Sequence, residues 1–162
     1  MELNAVLQNI IIPALAMLPP KMTSDAAKVE MLSIGLQESR FTSRYQIVQG
    51  KPGAKGPARG FWQFESGGGV KGVMNFATTK QLAQDICAKR GVPFVQNTVW
   101  QALETDDILA ACFARLLLWT DPKAIPVNNA QAGWDLYQRV WRPGQPHRQT
   151  WDAFYQRAVD AV

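Results

Sequence analysis

One histidine, His147, and two cysteines, Cys87 and Cys112, are the whole supply of imidazole and thiol in 162 residues. No CxxC, HExxH or zinc-ribbon spacing occurs, so no metal site is legible and no cofactor is expected. The two thiols bridge only if the fold brings them together; as small, usually buried side chains they are expected to be reduced core residues. Charged residues make up 19% of the chain, an ordinary globular value, and there is no charge block, repeat or low-complexity tract. Long apolar runs are absent too. The one candidate, Ala5 to Leu18, is too short to span a bilayer and is interrupted by Gln8, Asn9 and Pro13. It follows Met1-Glu2-Leu3-Asn4, which lacks the positive start of a secretory signal. The expectation is a protein with no membrane span, made in the cytoplasm without a signal peptide.

What is present fits one domain over residues 1–162. A chain of this size buries about 68–70% of its unfolded surface, and 47% hydrophobic residues rule out a wholly disordered chain. Six of the sixteen aromatic residues are tryptophan, which suits either a ligand groove or a Trp-rich core. The net charge of +4 suits a polyanionic partner, cell-wall polymer or nucleic acid, without requiring one.

The patterning predicts a mainly α fold. A first helix is expected from Leu3 to Leu18, kinked or broken at Pro13 and stopped by Pro19-Pro20. Ser24 can cap a second, on which Ala27, Met31 and Ile34 recur at helical spacing. Residues 42–72 hold eight Gly and two Pro and predict an irregular segment or small hairpin around Phe61-Trp62-Gln63-Phe64. Further helices are expected over 78–89, over 105–119 with Asp106 and Asp107 in the first turn, over 130–141 and over 150–161.

Continuing Ala27, Met31, Ile34 by one more step reaches Glu38, a carboxylate at the end of an apolar face. Desolvated there, it would hold a proton near neutrality, as a general acid must. Spacing alone equally allows a solvated Glu38, or one paired with Arg40 or Arg44. Gly67, Gly69 and Gly72 formally satisfy GxGxxG, but without a βαβ setting they are better read as turn glycines. No serine sits in a GxSxG elbow that would enlist His147. The run Trp141 to Arg148 mixes cations with an indole, which suits phosphates, stacked bases, sugar faces or a plain turn between helices.

Taken in order, Gln37-Glu38-Ser39-Arg40-Phe41 closing a helix and then Gly60-Phe61-Trp62-Gln63-Phe64 resemble the lytic transglycosylase and goose-type lysozyme branch of the lysozyme superfamily. The likeness covers about residues 27–120, more weakly the rest, and extends to phage-encoded, virion-associated wall-degrading proteins. It implies a lysozyme-like helical domain whose glycine-rich segment lines the cleft. By this resemblance Glu38 matches the family's catalytic acid and Ser39 the serine that supports the helix end. Gln63 matches a sugar-contacting glutamine, and Gly60 allows close backbone approach. Phe61 and Trp62 stand where the family has Leu-Met, so the block Gly60 to Gln63, these two rings included, is expected to line the substrate groove, and the spacer from Glu38 to Gln63 is longer than usual. Tyr137, in Trp134-Asp135-Leu136-Tyr137-Gln138, matches a tyrosine that hydrogen-bonds the catalytic carboxylate, with Gln138 in place of the following Asn.

The function so implied is cleavage of the β-1,4 bond between N-acetylmuramic acid and N-acetylglucosamine in peptidoglycan glycan strands, for phage entry or host lysis. The expected site of action is the host wall in the periplasm, with other virion proteins as further partners. Glu65, the one acid near Gln63, is either a water-activating second carboxylate, as in a hydrolytic muramidase, or the partner of a nearby cation. Without it, the lytic route to 1,6-anhydromuramic ends needs only Glu38. A non-catalytic wall-binding protein or a nucleic-acid-binding virion protein would share the composition, though nucleic acid is the less favoured partner.

Overall fold

Pro13 leaves the first helix unbroken. In the computed structural model, which describes all 162 residues, α1 (residues 3–16) passes through a π-helical stretch, Leu7–Ile11, just before the proline. There the Ile12 N–H bonds back five residues to Leu7 O, and the wider turn accommodates the ring that would crowd an α-helical carbonyl. Helix α2 (Asp25–Ser39) starts where Ser24 caps it, its hydroxyl accepting the Ala27 N–H at 3.0 Å.

The glycine-rich stretch builds a three-stranded antiparallel sheet in the order β1 (Tyr45–Ile47), β2 (Lys55–Arg59), β3 (Phe64–Glu65). A π-helical turn, Ser66–Val70, then leads into α3 (Lys71–Asn75). The remaining helices are α4 (Lys80–Lys89), α5 (Gln96–Thr105), α6 (Asp107–Trp119), α7 (Ala130–Trp141) and α8 (Arg148–Ala161). Helices α3 and α5 were not anticipated. In α5 only Val99 and Leu103 are buried, a stripe too thin to stand out among β-branched neighbours. Asp106 lies one residue outside α6 as its cap, accepting the Leu109 N–H at 3.0 Å while its carboxylate also pairs with Arg90. No helix is long and apolar enough to cross a membrane.

One core of 40 buried residues runs through the chain. Helix α6 is its axis, buried continuously from Leu109 to Leu118, as expected of a helix apolar on nearly every face. α1 and α2 pack against it, and α8 lies along α2. Cys87 and Cys112 are buried and unbridged. Desolvation raises their thiols to about 11 and about 12, so neither is a ready nucleophile.

The chain reverses sharply after α2. Arg40 and Phe41 both take left-handed backbone conformations, at φ +53° each, an unfavourable choice for residues with side chains. The Phe41 ring repays it by lying on Gly35, where an added Cβ would fall 2.1 Å from Phe41 Cζ. Gly35→Ala should therefore destabilise the protein by about 1–3 kcal/mol, even though alanine in a helix interior normally gains up to about 1 kcal/mol over glycine. Urea denaturation of the two proteins measures the sign; a stabilised variant would show that the Phe41 contact is soft.

Candidate active site

The reversal after α2 delivers Glu38 to a cleft of about 390 Å³. Gln63, Glu65 and Tyr137 line the same cleft, and Trp141, Arg142, Gly144 and His147 wall it from the C-terminal side. Four of the residues singled out from sequence, on three separate parts of the chain, thus meet at one surface.

Glu38 is half-buried and accepts a 2.5 Å hydrogen bond from the Tyr137 hydroxyl at Oε1. Burial is the largest influence on its carboxyl, which is raised from an ordinary 4.5 to about 7. The Tyr137 bond favours the ionised form and partly opposes the rise, while the negative charge of Glu65 adds to it. Neither anticipated ion pair forms. Arg44 is bidentate to Asp107 at 2.8 Å and stacks on the Phe61 ring, while Arg40 lies over Phe154. Glu38 and Glu65 take part in no salt bridge.

Tyr137 is buried and fixed by rings. It stacks on Trp151, with centroids 5.3 Å apart and planes 8° from parallel, and touches Trp134 and Trp141. Its phenol is pushed upward, by burial first and then by the adjacent Glu38, so it stays a hydrogen-bond donor throughout the range in which Glu38 titrates.

The turn from Gly60 to Gln63 is bound at both ends by left-handed residues, Gly60 at φ +76° and Gln63 at φ +52°. Both the backbone N–H and the side-chain amide of Gln63 donate to Gly60 O, at 3.0 and 2.9 Å. This leaves the Gln63 side-chain carbonyl without a protein donor. Phe61 and Trp62, expected as groove residues, are corrected by their burial: they are 1% and 0% exposed. Their rings join Phe41 in an aromatic cluster, because large apolar surfaces gain most by leaving water. Gly60 is likewise tied to the fold rather than to a ligand. A Cβ there would lie 2.7 Å from the Leu103 carbonyl of α5.

These buried residues brace the cleft from below. The Trp62 indole donates to Met31 O in α2 at 2.8 Å, and Trp141 donates to Trp62 O at 2.9 Å. Ser39 donates to Phe61 O at 2.7 Å and accepts the Phe41 N–H at 3.1 Å, so it stands outside the cleft and ties the end of α2 to the Gly60 turn.

Glu65 occupies β3, paired with Ala58 of β2, so its backbone has the support of the sheet although three glycines follow it. Of those glycines, Gly68 and Gly69 line the cleft, and Gly69 has no room for a Cβ beside the Phe64 ring. The cleft wall from Arg142 to His147 was visible as a mixed basic and aromatic run, but not its position. Asp152 pairs with Arg148 beside His147 in the sequence. Gln46 in β1 reaches the cleft with no sequence signal to mark it. No cluster of three or more His, Cys, Asp or Glu is gathered to hold a metal ion.

Comparison of the chain with family models, curated proteins and solved structures returns no match.

The shift at Glu38 links its titration to stability. The folded chain holds this proton up to about pH 7, whereas an ordinary Glu releases it near 4.5. The stabilising effect of the neutral form is therefore full below about pH 4.5 and is lost as pH rises through 7. Glu38→Gln should melt with the wild type at pH 4 and be more stable at pH 8, by on the order of 1–3 kcal/mol. Thermal denaturation at the two pH values measures this, and equal stabilities at pH 8 would mean that the carboxylate is adequately solvated.

Proposed function

We propose that this protein cleaves peptidoglycan, at the β-1,4 bond between N-acetylmuramic acid and N-acetylglucosamine, with Glu38 as its acid and then its base. The observation that carries this reading is a carboxyl facing an open cleft, raised to about 7 and joined by Tyr137 with no cation to neutralise it. Such a group is both protonated and ionisable near neutral pH, which is what one residue needs to give a proton and take another back.

In this mechanism Glu38 protonates the leaving glycosidic oxygen as positive charge develops at the anomeric carbon. Tyr137, bonded at Oε1, stabilises the carboxylate once the proton has gone. The substrate's 2-acetamido group meets the developing charge, so a protein nucleophile is not required. The ionised Glu38 then removes the proton from the muramic 6-hydroxyl, whose attack on the anomeric carbon yields a 1,6-anhydromuramic end. Gln63, with its free side-chain carbonyl, is the sugar-positioning residue. A virion-associated role in opening the host wall fits the same reading.

One observation favours a second product. Glu65 stands in a paired strand on the same cleft and interacts electrostatically with Glu38, so it is held firmly enough to activate a water, which would make the reaction hydrolytic.

Glu38→Gln should lower wall cleavage by at least about 10²–10⁴, the usual contribution of a general acid, as measured by clearing of cell-wall suspensions. Near-normal clearing would end the assignment. Glu65→Gln decides between the products when digested glycan is weighed by mass spectrometry. Anhydromuramic ends and largely retained activity in this variant mark the lytic route; reducing ends from the wild type and an inactive variant mark the hydrolase.

A further inference from the structure

Arg115 is the one cation in the apolar run of α6, and it is 4% exposed. Its Nε donates to Met22 O at 2.7 Å, but neither Nη1 nor Nη2 has a hydrogen-bond partner, and no carboxylate pairs with it. A buried, unpaired guanidinium is costly, and desolvation lowers Arg115 only to about 10, so it remains charged at neutral pH.

This residue lines a second groove, of about 760 Å³, between the end of α6, the segment that follows it and the turn before α2. The size is within the range of small-molecule sites, about 300–1,000 Å³. Trp119 stands between two cations there, with Lys21 Nζ 5.3 Å and Arg115 Cζ 5.5 Å from its ring. Lys123 adds a third cation at the rim. The single acid on the groove, Asp121, is already taken by Arg139 at 2.8 Å. Ser24, Thr78 and Thr120 contribute hydroxyls, and the rest of the lining is apolar, including Ile125 and the exposed Phe76 and Val127, which are 44% and 78% accessible. The groove thus offers positive charge with unused donors next to bare apolar surface.

We propose that this groove binds a small organic carboxylate with an apolar body, its head held by Arg115 with Lys21 alongside, and its body against Trp119, Ile125 and Val127. Guanidinium and carboxylate match in charge and in hydrogen-bond geometry, and an apolar tail covers surface that no other part of the chain covers. The site is separate from the Glu38 cleft. Leu117 faces that cleft, whereas Arg115, Leu118 and Trp119 face this groove.

Octanoate tests the proposal, with 1-octanol and acetate as probes of the tail and the head alone, titrated calorimetrically into the whole protein. Octanoate should bind once per chain, and each control about tenfold more weakly or worse. Arg115→Met should weaken octanoate by about tenfold or more. Val127→Asp, a change at an exposed position, should also weaken it by placing a negative charge beside the bound anion. Binding should shift the Trp119 indole N–H resonance, identified by its loss in Trp119→Phe. The proposal fails if octanoate does not saturate, if octanol binds equally well, or if the Trp119 resonance is unmoved. It fails also if a folded Arg115→Met binds as the wild type does; should that variant not fold, unchanged binding by Val127→Asp overturns the proposal in its place.

Discussion

The hydroxyl of Tyr137 donating to Glu38 joins two helices that are 99 residues apart in sequence, and the cleft depends on that contact. A carboxyl half-removed from water loses stabilisation in its charged form, and the phenol restores only part of it. The result lies between the two simple outcomes. Without burial Glu38 would be a permanent carboxylate, and with a neighbouring cation it would be one too. Arg44 and Arg40 are close enough in sequence to supply that cation, but Asp107 and Phe154 engage them instead.

Holding Glu38 in this state requires a rigid floor, which the aromatic residues supply. Trp62 bridges α2 and α7 by donating to Met31 O and having its own carbonyl accept from Trp141. Ser39 ties the last turn of α2 to Phe61 O, and Phe41 folds back over Gly35. Tyr137 is clamped by Trp151. A side chain locked by packing and by hydrogen bonds loses little entropy when a ligand arrives and keeps its geometry when its charge changes.

Much of this was legible in the sequence where local chemistry decides the outcome. Ser24 marks a helix start because only a side-chain acceptor can satisfy the first free N–H groups, and the run Ala130 to Trp141 is helical as its apolar spacing requires. Glu38 was visible as the end of an apolar face. What the sequence left open was set by tertiary contacts. Phe61 and Trp62 have the composition of a sugar platform, and their burial follows from how Phe41 returns over α2, which two adjacent left-handed residues make possible. The strand under Glu65 depends on pairing with residues seven positions earlier, so a position that reads as the edge of a glycine loop is in fact backed by a sheet. Arg115 is a lone charge in an otherwise apolar helix, and helical periodicity alone gives such a residue no role.

The charge state of Glu38 depends first on its own burial and also on Glu65, which shares the cleft. The charge of Glu65 raises the cost of ionising Glu38, and no salt bridge relieves Glu38. Glu38 is removed from water whereas Glu65 is exposed, so burial falls unequally on the two and raises Glu38. Under the proposed function, two carboxylates in such unlike surroundings would take unlike roles, Glu38 as proton donor and Glu65 as a supporting group. That asymmetry would serve either product. In the proposed cleavage, a carboxylate on the cleft would steady an oxocarbenium-like centre whether the incoming oxygen belonged to water or to the sugar. In that reaction the choice between the two would rest on whether water or the muramic hydroxyl reached the reacting carbon first, in a cleft walled on one side by Trp141 to His147.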